Sequence, residues 1–553
     1  MNDNKPDREV LSLKGKPEKS QLAHAKGVAK SLEGSRKEEE ADWYSIADYS
    51  GYGNIPSLSV DRDGKERPRM RQMIDSYPIL SFRTLEAGMY SGLSSPNRPW
   101  VRFGFMDEEL ENYQPARVYL DQLESLILRM FDASNFYQVA RSNYGEMGRF
   151  GPACGIMTEH WREIAPCLKI PIGQFWFGMN EAFRVDTLVR DCPMTVANVV
   201  KSFVKRGNQY GWSAVSMTVK NLWDRGQYET MVKCRQMIEP GKDGRFQSTI
   251  WDELDDRQDA LLEAKHYHEQ PFWGPRWGGD KMYARGVGHE ALPDLRELAL
   301  KNKRLQQVED QITKPATYGP ARDIDMRPGA HTYVPDMSSM DAIKEIYTPD
   351  PRAMTILADR IDTLHNMVDR LTYADLFMAI TNMPGVQPRN VEELLKRDEE
   401  KLTQIGPVVE MVNDEMLPIA VERMLGIAKR GGLLPEAPEE LQGRELKIEF
   451  VSVLAMAQKM LGMSTTERAI GFVGSLGQVF GPQVLDKIDP DALVDDYAKR
   501  ANLPARALRD DRNVELLRKQ RAQAEEMEQT AALAQPARDA TQAAQNIAQL
   551  SDA

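Results

Sequence analysis

The chain has 553 residues, 41% of them hydrophobic and 28% charged, with a formal net charge of −12. That balance predicts a folded protein of three or four domains at roughly 150 residues each, with ample core material. It excludes a chain that grips nucleic acid through an overall basic excess. No apolar run reaches the ~20 residues needed to cross a bilayer. The N-terminus is polar and mixed in charge, unlike a signal peptide. Cys154, Cys167, Cys192 and Cys234 form no CxxC pair, which predicts reduced, buried thiols.

Residues 1–40 are rich in Lys, Glu, Ser and Gly and read as a flexible arm. Tyr77 to Leu93 carries apolar residues at helical spacing and ends at SSPNRPW. Tyr119 to Met130 predicts a second amphipathic helix. In KIPIGQFWFGMNEAFRVDTLVR, Ile170, Ile172, Phe175 and Phe177 alternate, then Phe183, Val185, Thr187 and Val189. The polar Asn180-Glu181 between the two runs predicts a hairpin. TVANVVKSFV reads as helix and KHYHEQPFW as strand. Pro293 to Ile312 predicts a helix with proline in its first turn. KPATYGPARDIDMRPGAHTYVPD has Pro and Gly but no helical period, which predicts strands and turns.

Met354, Leu357, Ile361, Leu364, Val368 and Leu371 follow a 3-4-3-4 spacing. That narrow seam packs helix against helix. From Asn390 to Pro435 a long helical pattern includes Leu402, Ile405, Val408, Val409, Val412 and Met416. Gly406-Pro407 in its middle predicts a kink, Pro418 a second break and Gly431-Gly432 a stop. LKIEF alternates as a strand, SVLAMAQKML and TERAIGFVGSLGQVF read as helices, and the Ala-, Gln- and Arg-rich tail from Ala505 has helical propensity with little core material.

The search for chemistry returns little. There is no GxxxxGK[ST] and no GxSxG. GVGHEA follows Ala-Arg rather than a hydrophobic strand, so it reads as a turn rather than a dinucleotide site. His266 and His268 share a strand face, but no nearby Cys or second His pair completes a metal set. The expectation is a structural protein, not an enzyme, with no cofactor and no metal.

Five strings, in order, carry a family resemblance: RTLEAGMYSGLSSPNRPWVRF, YGEMGRFGPACGIM, IPIGQFWFGMNEAFRVDTLVRDCPMTVANV, YARGVGHEALPDLREL, and the Asn390–Pro435 stretch followed by LKIEFVSVLAMAQ. Together they resemble the head-to-tail connector, or portal, proteins of short-tailed bacteriophages across about residues 80–460. The N-terminal arm and the tail after about Pro490 lie outside the resemblance.

The resemblance implies an α+β, predominantly helical fold with wing, stem, clip and crown, assembled as a ring, commonly of twelve subunits, at one capsid vertex. It implies passage of double-stranded DNA during packaging and ejection, docking of the terminase motor and then tail proteins, contacts with capsid and scaffolding proteins, no membrane partner, and assembly in the host cytoplasm. Another structural or adaptor protein of the head–tail junction is the alternative; a packaging ATPase is disfavoured by the missing P-loop. The family plan divides the chain into an arm (1–40), wing (41–292), first stem helix (293–313), clip (314–350), second stem helix (351–379), channel loop (380–390), long kinked helix and return to the wing (391–450), crown (451–504) and tail (505–553). The channel loop is Thr381, Asn382, Met383, Pro384, Gly385, Val386, Gln387, Pro388, Arg389 and Asn390, with one formal charge, at Arg389. Few fixed phosphate links suit a loop that slides along DNA, and an acidic lumen repels the DNA backbone.

Overall fold

The described residues of this computed structural model are 19–52, 74–105, 113–160, 163–206, 209–241, 243–253, 261–278, 281–313, 316–318, 344–347, 350, 352–381, 405–438, 446–451, 514 and 516–524. The chain divides into two compact units. One comprises Met1–Val101, Leu126–Leu434 and Phe450–Gln458; the other comprises Arg102–Ser125, Pro435–Glu449 and Lys459–Ala553.

The main elements begin with helices α1 (Lys19–Ser50) and α2 (Tyr77–Leu93), strand β1 (Val101–Phe105), and helices α3 (Gln114–Ala133) and α4 (Phe136–Phe150). Strands β2 (Cys154–Met157), β3 (Cys167–Ile170), β4 (Phe175–Met179), β5 (Val185–Asp191), β6 (Cys234–Pro240), β7 (Phe246–Asp252), β8 (Leu261–Tyr267) and β9 (Phe272–Trp273) follow. Then come helix α5 (Val287–Thr313), short strands β10 (Ala316–Tyr318) and β11 (Lys344–Tyr347), and helices α6 (Arg352–Leu371), α7 (Ala374–Thr381), α8 (405–415) and α9 (Leu417–Arg430). Strand β12 (Leu446–Phe450) is the last of them. The fold is thus mixed, with helix the larger share.

A five-stranded antiparallel sheet in the order β8-β7-β6-β5-β4 organises the first unit. The expected hairpin is present. The Asn180 side chain accepts hydrogen bonds from the Ala182 and Arg184 amides, both at 3.0 Å, which closes the turn between β4 and β5. The expected facing holds only in part. A bulge at Gly178/Met179 shifts the phase by one residue. Phe183 sits in the turn at φ 58° and is exposed, while Val185 and Leu188 face one core and Val189 the other.

Both faces of this sheet are apolar. Phe175, Phe177, Leu188 and Ile238 point into a core shared with a three-stranded sheet, β9-β2-β3, and with Phe150 and Tyr283. Trp176, Val189, Met237 and Trp251 point the other way, onto Leu22, Ala25 and Ala29 of α1. Residues 19–40 are therefore helix and core, not the expected flexible arm. Their composition misleads because alanines supply two of the three fully buried positions on the packed face, Ala25 and Ala29 beside Leu22, and small residues leave room for two tryptophans. Arg36 fixes the register. It is 3% exposed, donates to the Gly173 and Phe175 carbonyls at 2.9 and 2.7 Å, pairs with Glu40, and lies 4.1 Å from the Trp176 ring centroid. Further along α1, Trp43, Ile46 and Ala47 enter the first core.

A satellite core packs Val196, Val199, Val200 and Phe203 against Val215, Val219, Ile250 and Leu262. The expected helix in TVANVVKSFV is Val196–Val199, capped by Thr195 and continued as a π-turn over Val200–Val204. All four cysteines are free and buried.

Helix α5 begins at Val287, six residues before the expected start, so Pro293 is inside it. The Gly-Val-Gly turn sets the boundary. A Cβ on Gly288 would lie 2.2 Å from the Arg149 carbonyl oxygen, so the start of α5 packs directly on the end of α4. Pro293 lacks the N–H that would bond to the His289 carbonyl one turn back. The Pro- and Gly-rich segment after α5 contributes β10 and β11, which pair antiparallel; residues 319–343 lie outside the described residues.

In the second unit, residues 102–105 and 446–449 form a two-stranded sheet, as LKIEF predicted. Glu124 beside it is pushed up to about 7 by burial, with Arg102 pulling the other way. Residues 516–524 of the tail are helical; 451 aside, the expected crown lies outside the described residues. No helix among the described residues is long and apolar enough to cross a membrane.

Two outcomes follow. Deleting residues 1–40, or placing a charge at Ala25 (Ala25→Asp), uncovers or wounds the sheet's second face and should lower stability by roughly 2 kcal/mol or more in urea unfolding, whereas Lys30→Asp on the exposed face should not. For Glu124, the raised carboxyl favours the neutral form in the folded state, so its contribution to stability falls as pH rises from about 4.5 to about 7 and then levels. Glu124→Gln should flatten that decline, read as unfolding midpoints at pH 5 and pH 8.

Candidate functional site

The residues singled out in the sequence fall on a helix pair and on the two flanks of one segment. Helix α6 carries the seam. Ile361, Leu364 and Val368 are buried; Met354, Leu357 and Leu371 are half-buried. Ile361 and Leu364 pack on Leu298 and Leu305 of α5. Fully burying such side chains is worth roughly 1.5–3 kcal/mol each. Arg360 and Glu297 close the pair from outside with two hydrogen bonds of 3.1 Å, and Arg360 holds the Glu297 carboxyl below its ordinary range. Leu300, Ile356 and Met367 were not part of the expected seam, and they are 46%, 68% and 44% exposed.

The α5–α6 pair is tied to α2 by polar contacts. Asp75 accepts from Asn302 and bonds His365 at 2.9 Å. The Tyr77 ring stacks on His365, and the Tyr77 hydroxyl donates to Asp369; burial, then Asp369, raises that hydroxyl's pKa. After α6 the chain reverses at Thr372 and Tyr373, the latter at φ 55°, and enters α7. There Phe377 lies against Gly88 of α2. A Cβ on Gly88 would fall 2.0 Å from the Phe377 ring, so no larger residue fits without moving the ring.

Thr381 is the last residue of α7. The rest of the expected channel loop, Asn382 to Asn390, and the stretch on to residue 404 lie outside the described residues. The chain resumes in α8. Gly406 and Pro407 are its second and third described residues, so the bend expected there rests on residues outside the description. The apolar period holds: Ile405, Val408, Val409, Val412 and Met416 are all buried. The second break is present at Met416, with Pro418 in the first turn of α9. The stop is present too. The Leu433 amide bonds the Ala428 carbonyl at 3.0 Å and the Gly432 amide bonds Lys429 at 3.2 Å, a Schellman pair.

Sequence reasoning missed what anchors this flank. Arg276, 2% exposed, grips both oxygens of Glu415 on α8 through Nε at 3.1 Å, with Nη2 also on the carboxylate. Its other donors hold the Lys281 carbonyl at 3.0 Å and the Phe183 carbonyl at 2.9 Å. Burial raises the Glu415 carboxyl, and Arg276 pulls it back without cancelling the rise. On α9, Arg423 and Arg430 converge on Glu269 at 2.6 and 2.5 Å, and Arg430 also pairs with Glu159. Burial alone would raise Glu269, but Arg430 and then Arg423 outweigh it and hold it low. The partners lie more than 130 positions apart, and no local pattern signals them.

Removing one partner of a buried pair strands a charge, at a cost of about 3–5 kcal/mol. Glu415→Ala should therefore lower the unfolding free energy by that order. The double replacement Arg276→Met with Glu415→Leu should recover most of the loss. Thermal and urea unfolding of the three variants measure both.

The span from α1 to the tail matches the family of bacteriophage head to tail connecting proteins over residues 22–508, which includes residues 22–40 that the motif resemblance left out. A portal protein of Salmonella phage epsilon15 is 30% identical over 522 residues, covering 92% of each chain. A probable portal protein of Bordetella phage BPP-1 is 31% identical over 521 residues, covering 91% of each. The chain belongs to the bacteriophage head to tail connecting protein family.

Proposed function

We propose that this chain is a portal subunit. Copies of it form a dodecameric ring at one capsid vertex, through which double-stranded DNA is packaged and ejected. The observation that carries this reading is the near full-length match to head to tail connecting proteins, with two portal relatives at about the same identity. As a head-to-tail connector it is a structural part of the virion with capsid and tail partners. The terminase motor, tail adaptor and scaffolding proteins are its proposed dockers, with assembly in the host cytoplasm and no enzymatic step of its own.

Within that reading, 293–313 and 351–379 are the stem helices, 314–350 the clip, 380–390 the channel loop, 41–292 the wing and 451–504 the crown. Three apolar side chains support the stem assignment. Leu300 on α5 and Ile356 and Met367 on α6 are exposed in the single chain, as residues awaiting a neighbouring copy would be. The anchored flanks support the loop assignment: α7 is wedged on α2, and α8 is gripped by Arg276. A segment held at both ends on one body suits contact with moving DNA.

End-on electron micrographs of purified protein should show rings. Ile356→Asp and Met367→Asp should abolish them in analytical ultracentrifugation while leaving circular dichroism unchanged, and Ile361→Asp should damage the fold itself. Deleting residues 382–389 should spare the ring and impair packaging. Monomers at every concentration and salt would overturn the proposal.

A further inference from the structure

Glu39 and Asp42 stand three residues apart on α1 and so share a face. His289, in the first turn of α5, faces them. One ligand atom from each of the three lies within 4.8 Å of the other two. Proximity alone would mean little, since exposed acids cluster without ions. A further observation concerns the imidazole. Both ring nitrogens of His289 are closed to water, and neither meets a hydrogen-bond partner at ordinary geometry. The side chain as a whole is half-buried, yet a shielded polar atom left so costs about 1–3 kcal/mol, and a ring lone pair in that state is what a metal uses.

Arg285 is the present counter-charge. Its guanidinium sits 3.5 Å from Asp42, and its side chain is 64% exposed. A tetrahedral ion with bonds of about 2.0–2.2 Å sets ligand atoms roughly 3.4 Å apart. The three side chains must draw in by about an ångström, a small χ rotation each.

We propose that Glu39, Asp42 and His289 bind one divalent transition-metal ion of the zinc class, clamping the later half of α1 to the start of α5. One imidazole with two carboxylates and an open fourth position suits zinc, whereas calcium and magnesium take oxygen-only sets. The site is absent from the sequence reading because its ligands are 247 positions apart, from Asp42 to His289, and only the Glu-x-x-Asp half is local. It does not depend on the portal reading, since a clamp within one chain operates in monomer and ring alike.

The test uses the full chain, stripped with a chelator and titrated with zinc chloride under calorimetry, with thermal unfolding alongside. One ion per chain should bind at micromolar or tighter affinity and raise the melting temperature. Asp42→Asn and Glu39→Gln, both at half-buried positions that tolerate an isostere, should each weaken binding at least tenfold; His289→Gln should abolish it. Arg285→Ala, which removes the competing cation, should tighten it severalfold. No saturable binding up to 100-fold excess zinc, or equal binding by the Asp42→Asn and Glu39→Gln variants through other surface histidines, would overturn the proposal.

Discussion

Arg276 ties together three stretches of chain that lie far apart in sequence. Its guanidinium takes the turn of the β4–β5 hairpin at Phe183, the loop before α5 at Lys281, and the carboxylate of Glu415 on α8. A buried guanidinium needs its donors satisfied, and five donors in one plane can only be satisfied from fixed directions. The sheet, the start of α5 and α8 are thereby placed together in a single arrangement. Such a pair adds little net stability compared with a well-packed apolar trio. What it adds is exclusivity, because any slip of α8 by a turn leaves the charge without its partner.

The second constraint is the doubly covered sheet. Antiparallel sheets commonly leave one face to water. This one cannot, because Trp176 and Trp251 stand on the face opposite to Phe175 and Phe177. Covering it falls to α1, whose Ala25 and Ala29 pack in the same cluster as the two indoles and whose Arg36 lies over the Trp176 ring. Arg235, itself paired with Asp191 and Glu253, lies 5.0 Å from the centroid of the same ring, so one tryptophan joins α1 to β5 and β6 through two cations.

These two constraints explain what was and was not legible in the sequence. The periodic features were: the Tyr77–Leu93 helix, the hairpin around Asn180, the buried face of α8, the break before Pro418 and the Gly431-Gly432 stop are each written in a few adjacent residues. The α6 seam was legible to the extent that its centre is buried. Residues 19–40 were misread because composition weighs an alanine lightly and says nothing of the tryptophans it must fit. The start of α5 was missed because proline marks a first turn by habit, while the true boundary is set by Gly288 meeting the backbone of α4. The anchoring ion pairs were invisible, since their partners are joined only by the fold.

The contact between Phe377 and Gly88 has a mechanical meaning. Hydrogen bonds yield under tension, each by breaking alone, but an aromatic ring seated on a bare backbone yields only by overlap, and packed interiors are nearly incompressible. Force arriving at Thr381 along the chain would thus pass through α7 into α2 with little lost to give. The end of α7 behaves as a bracket rather than a hinge.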